Sequence, residues 1–260
     1  MPARLLQRQI SLLEYLTSAG AIFGDGIDAP PVPDLQGFDL APLRLEACFS
    51  HEKRMEKIIA AFPRTFELLG DDQAAAVRDF VAACPSVDIR RIENARQFYD
   101  FACARWETIP QPPYLRDVAS CELAIARLRM TGKRQSSQDV ATGRAMRFRR
   151  NRDAVFLPCA YDIRPIFEGG ASEANPSETP AGEAHPSEAA ASEAPARRDV
   201  MLAILIPHRT DQPAIFEVPA PVYALLVELD TWTDRATLGP MEGLDELISD
   251  LADHGLLEVS

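Results

Sequence analysis

The chain has 260 residues, 47% of them hydrophobic and 25% charged, enough to bury one good core or two small ones and so to form one or two domains. Its formal net charge of −12 argues against a non-specific grip on nucleic acid, and five cysteines without a C-x-x-C pair fit neither a disulfide framework nor a zinc finger. No apolar run is long enough to span a membrane and the first ten residues scatter their charges, so a cytoplasmic protein with no export signal is expected.

Helical periodicity dominates the first half. Leu5, Ile10, Leu12, Leu13 and Leu16 mark an amphipathic helix expected to end near Gly20, followed by a Pro/Gly-rich loop to about residue 38. A second helix is predicted over 42–62, with Pro63 cutting or kinking it. TFELLG forms a short amphipathic turn, and Asp71 or Asp72 is placed to cap the helix that runs to Ala83. Two more helices are predicted over 93–106 and 114–130, which makes residues 1–131 a helical bundle domain.

From about residue 144 the period changes to two. AMRFRR alternates, AVFLP is a short strand, DVMLAILIP a stronger one, and PAIFEVP its hairpin partner. The helices APVYALLVELD and GLDELISDLADHG follow, and LLEVS closes the chain as a strand. Residues 132–260 therefore read as a small winged-helix-like α+β domain, and the whole chain as α+β.

An insertion at 169–198 interrupts that domain. Its Glu residues recur every fifth position, from Glu173 to Glu193, a period of neither helix nor strand. Pro176, Pro180, Pro186 and Pro195 break both structures and no large apolar side chain is present, so the segment reads as a disordered, solvated tether. The strands before it are too short to stand alone and should pair with those beyond it.

Catalytic and metal-binding patterns are nearly absent. His51, His185, His208 and His254 are isolated, and Cys48 with His51 at i, i+3 falls short of the three or four ligands a metal needs; no metal or cofactor is assigned to this chain. GAIFGDG lacks the lysine of a phosphate loop and reads as a turn. Arg144, Arg147 and Arg149 lie in a basic stretch of an acidic chain, with Arg147 and Arg149 on one strand face, and form a candidate partner-binding surface. The final predicted helix carries Asp245, Glu246, Asp250 and Asp253 without Lys or Arg, which repels phosphates; nucleic acid is an unlikely ligand. Peptide capture by strand addition survives that objection. Its candidate residues are Leu202, Ile204, Ile206, Phe216 and Val218 on the hairpin, with Tyr223 and Leu226 on the next helix.

The runs RLEACFSHEKRMEKIIAAFPRTFELLG and PPYLRDVASCELAIARLR carry a Pro-Arg-Thr-x-Glu-x-Leu-Gly step and a helix with Tyr114, Leu115, Asp117 and Glu122. In these the chain resembles the MbnC-type partner proteins of multinuclear non-haem iron oxidases in methanobactin-like peptide biosynthesis. The resemblance extends through AVFLPCAYDIRPIF, FEVPAPVYALLVELD and LISDLADHGLLEV. It implies a non-catalytic subunit that docks as a heterodimer on an iron oxidase and holds the leader of a precursor peptide, with the iron in the partner. Chains with this helical domain have also been labelled DNA-binding, so a transcriptional regulator is the alternative.

Overall fold

Serine and threonine side chains end the first helix earlier than glycine would. In the computed structural model, which describes residues 2–24, 35, 37–85, 90–131, 147–168, 194–207, 210, 212–239 and 243–260, α1 spans Pro2–Leu16. The Thr17 and Ser18 hydroxyls donate back to the Leu13 and Tyr15 carbonyls at 2.9 and 2.8 Å, closing the helix. Ser18 then caps α2 (Ala19–Phe23) by accepting from the Ala21 amide. Gly20, expected as a terminator, lies inside α2; Gly24 at φ 77° ends it instead.

The chain divides into two units, Met1–Leu123 and Ala124–Ser260. In the first, α3 (Leu40–Ile59) opens on the Asp39 cap, and α4 (Pro63–Leu69) takes Pro63 in its first turn, where a missing N–H costs nothing. They are followed by α5 (Gln73–Ala83), α6 (Arg91–Trp106) and the start of α7 (Leu115–Thr131). Phe62, Phe66 and Phe80 gather around Phe98 with ring centroids 5.1–5.3 Å apart, a fully buried aromatic centre.

Two buried arginines staple this unit. Arg54 stacks on Phe80 and donates to the Asn94 and Gln97 side chains and the Cys84 carbonyl at the end of α5, so amide and carbonyl oxygens and a ring face satisfy it. Arg105 forks onto Asp72 and reaches Asp79, while Gln111 adds a further bond to Asp72. Asp72 stands at the N-cap of α5 but makes no side-chain cap bond, because Arg105 claims both its oxygens. The cap reading of Asp72 is corrected accordingly.

Among its described residues the second unit carries two three-stranded antiparallel sheets. The strands are β1 (Arg147–Arg150), β2 (Val155–Tyr161), β3 (Arg197–Leu205), β4 (Ala214–Glu217), β5 (Thr233–Asp234) and β6 (Leu257–Val259). Helices α8 (Arg164–Glu168), α9 (Ala220–Glu228) and α10 (Leu244–Asp253) lie between them. One sheet has the order β2-β3-β4, so the strands flanking the insertion do pair across it; residues 169–193 themselves lie outside the described residues. The other has the order β5-β1-β6. The strands on either side of the α9–α10 pair thus belong to different sheets, and β1 completes the sheet of the last strand. The fold is α+β, a helical region followed by this mixed unit. Its core joins Phe148 of β1, Ala203 and Leu205 of β3, Leu226 of α9 and Ile248 of α10.

Candidate functional site

The register of the β2-β3-β4 sheet decides which backbone groups are available to a ligand. Val218 donates its N–H to the Met201 carbonyl at 2.8 Å, and the β3–β4 register places Ala203 opposite Phe216 and Leu205 opposite Ala214. Antiparallel partners alternate between bonded and non-bonded pairs, so Ala214, Phe216 and Val218 bond to β3. Ile215 and Glu217 consequently turn their N–H and C=O groups outward, along an edge with no strand beyond it among the described residues.

The opposite edge is different. The same alternation carried across β3 bonds Val155, Leu157 and Cys159 to Ile204, Leu202 and Val200, leaving Phe156 and Pro158 facing outward. Proline has no N–H, and an outward position on an edge strand is where its absence breaks no ladder. The outer edge of β2 therefore lacks a donor at its middle, and β4 is the better template for an added strand. A shallow depression of about 400 Å³ lies over the β2–β3 pair, lined by Pro158, Cys159, Ala160, Asp199, Val200 and Met201.

The expected peptide-binding residues separate in this frame. β3 is the central strand, not an edge, because both its ladders are used; Leu202 and Ile204 are fully buried and present no backbone to a peptide. Val218 and Leu226 are likewise core residues. Ile206, Phe216 and Tyr223 are half-buried, with Phe216 edge-on to the His254 ring at 5.2 Å and Tyr223 tilted against Phe156 at 5.6 Å. The open edge itself belongs to Ile215 and Glu217, which the sequence pattern did not single out. The proline in β2 was the available signal, since it marks that strand as an edge and pushes DVMLAILIP to the centre.

Beside β4, Arg164 and Arg198 each bond both Asp162 and Glu217, at 2.5–2.9 Å. The Arg164 guanidinium, then Arg198, holds the Asp162 carboxyl far below the usual carboxylate range, and Arg198 holds Glu217 below it as well. The four charges fix one end of β4 to the β2–α8 turn and to β3.

The arginine surface is mostly satisfied internally. Arg147 pairs with Asp234 at 3.2 Å, and Arg149 pairs with Glu258 and lies 4.7 Å over the Trp232 ring. Arg150 adds a contact to Asp230. Arg144 lies outside the described residues, as do His185 and His208. Phe148 between the two arginines is buried, as strand alternation requires.

In the helical unit the two most distinctive sequence features meet. Glu122 of α7, only 3% exposed, accepts from the Arg64 amide at 2.6 Å, the Thr65 amide at 3.0 Å and the Thr65 hydroxyl at 2.6 Å. A carboxylate from one helix thereby caps the Pro-Arg-Thr start of another, satisfying donors that a local cap would otherwise take. Burial pushes Glu122 up to about 7, against the pull of those three donors. Cys48 and His51 of α3 serve packing: the thiol faces the Ile22 carbonyl at 3.5 Å, and the imidazole stands edge-on to Phe23 at 5.3 Å. Burial, then Arg54, lowers the His51 pKa. Among the described residues no three His, Cys, Asp or Glu side chains gather to hold a metal, and no helix is long and apolar enough to cross a membrane.

Comparison with family models and with curated proteins finds no match to this chain.

Proposed function

We propose that the chain is a non-catalytic binding subunit that holds the leader of a precursor peptide along β4 and docks on a non-haem iron peptide-modifying oxidase, the methanobactin-type setting its sequence resembles. The observation that carries this reading is the outward-facing edge at Ile215 and Glu217, beside the half-buried Phe216 and Tyr223. Strand addition takes affinity from such backbone groups and specificity from side chains on alternate positions. The iron and the oxidation belong to the partner in this reading. The chain contributes the hold on the leader.

The test uses a fluorescently labelled synthetic leader peptide of a methanobactin-type precursor, titrated with the full chain. Ile215→Pro removes one outward donor and leaves the bonds from Phe216 and Val218 to β3 in place; Ile215→Val keeps the donor. Proline should abolish the anisotropy rise while circular dichroism stays native, and valine should preserve it. Equal affinity in both folded variants, or no binding by the wild type in the presence or absence of the oxidase, would reject the β4 site.

A further inference from the structure

One flank of α10 borders the open edge of β4. Phe216 turns toward the core face of its sheet, where its ring meets that of His254 edge-on at 5.2 Å. Leu247, Asp250 and His254 stand at i, i+3 and i+7, so the flank of α10 that meets Phe216 carries all three, with Glu246 one turn before Asp250. Leu247 is half-buried against the same core, while Glu246 and Asp250 are exposed. The two flanks of the helix differ in charge. Asp245, on the far flank, is neutralised by Arg235 at 2.6 Å. Asp250 pairs with His254, a cation only when protonated, and neither Asp250 nor Glu246 has an arginine or lysine partner among the described residues. On the other face of β4 the charge is closed: Glu217 is held by Arg164 and Arg198, and its neighbour on that face is the half-buried Ile215.

We infer that the groove between β4 and this flank of α10 selects a basic side chain: the peptide held along β4 alternates a neutral residue toward Ile215 and Glu217 with a lysine or arginine toward Phe216. The inference rests on the β4 reading proposed above and adds which peptide that edge accepts. Strand geometry sets the pairing, because a residue directly across from Phe216 places its side chain on the Phe216 face. There the apolar stem of a lysine or arginine lies over the Phe216 ring and Leu247, and its charged head reaches toward Asp250 and Glu246 at the rim. A glutamine at that position keeps the stem contact without the attraction, and a glutamate meets two like charges. Toward Ile215 and Glu217 no charge is selected, since the Glu217 carboxylate already has its two arginines.

Three short acetylated, fluorescently labelled peptides provide the probe, alternating threonine with lysine, with glutamine or with glutamate, each titrated against the full chain by anisotropy at physiological salt. The lysine peptide should bind about three- to tenfold more tightly than the glutamine peptide, with the glutamate peptide weakest. In Glu246→Gln with Asp250→Asn the lysine and glutamine affinities should converge. Asp153→Asn with Glu228→Gln removes the same charge from exposed positions elsewhere in the unit and should leave the preference in place, which separates a local site from attraction by the acidic chain as a whole. A lysine preference that survives the first double variant or vanishes in the second overturns the inference and leaves the β4 edge standing. So does an equal or reversed affinity for the lysine and glutamine peptides when Ile215→Pro still abolishes binding. Binding of none of the three peptides, or binding indifferent to Ile215→Pro, overturns the β4 reading itself and this inference with it.

Discussion

Helices α1 and α10 carry the same apolar spacing and meet opposite fates. Leu6, Ile10 and Leu13 stand at i, i+4 and i+7 on α1 and face solvent; Leu244, Ile248 and Leu251 stand at the same spacing on α10 and are 1, 5 and 5% exposed. The difference is in what surrounds the stripe. The outer face of α10 is acidic, with Asp245, Glu246, Asp250 and Asp253, so only one orientation buries leucine without burying charge. On α1 the side opposite the leucines holds Ser11 and Tyr15 but also Arg4 and Arg8, and residues 4–10 stay exposed on both sides. Periodicity establishes that a face is apolar, and it leaves open what covers that face.

The sharpest way to break the comparison is truncation at equivalent positions. Leu251→Ala should cost about 2–4 kcal/mol by emptying a packed core, whereas Leu13→Ala should stay within about 0.5 kcal/mol for the isolated chain. Urea midpoints of the two variants check both. Comparable losses at the two sites would mean that α1 is covered in solution by its own chain.

A second contrast, between two carboxylates, sharpens the same lesson. Glu122 is buried and pushed up to about 7, while Asp162 is held down by Arg164 and Arg198. From an ordinary value of 4.5 up to about 7, the unfolded chain has released the Glu122 proton and the folded chain still holds it. The unfolded state then binds fewer protons, and stability falls as pH rises through that window, by up to about 3 kcal/mol. Asp162 acts in the reverse sense: the stability it contributes is present above its ordinary value of 3.8 and is lost as pH falls toward its depressed pKa. Urea midpoints at a series of pH values should therefore decline from pH 5 to 7 in the wild type. In Glu122→Gln that decline should flatten. An unchanged slope in the variant would assign the dependence to another group.

How much of this was legible beforehand follows the same division. Local signals carried far: Pro63 ending the second helix and AVFLP forming a strand follow from residues near one another, and the pairing across the insertion follows from strands too short to stand alone. Long-range partners did not announce themselves. Asp72 reads as a cap until Arg105, 33 residues away, takes its carboxylate. The Pro-Arg-Thr step and Glu122 stand out separately, and only the fold joins them over 57 residues. Strand order is equally non-local. An apolar run as strong as DVMLAILIP fits an edge or a centre, and the assignment of β3 to the centre needs the register on both its sides.

The smallest effects are expected at the arginines of β1, where two neighbours on one strand face differ in surroundings. Arg149 has a side chain 17% exposed, pressed on Trp232 and paired with Glu258, while its Nε is buried without a partner. Arg147 is 51% exposed and its partner Asp234 53%, so solvent and salt weaken that pair. Arg149→Ala should cost about 1–2 kcal/mol, from a cation–π contact and a charged hydrogen bond lost together. Arg147→Ala should fall near zero, which makes Arg147 the residue free to serve a binding surface. Reversal to Glu at 147 should leave the urea midpoint almost unchanged. If β1 meets an acidic surface of the oxidase, that reversal should slow association with the enzyme and make the salt dependence shallower, with dissociation little altered. Stopped-flow or surface-plasmon association rates at two ionic strengths separate these outcomes, and rates equal to wild type would confine the role of Arg147 to its pair with Asp234.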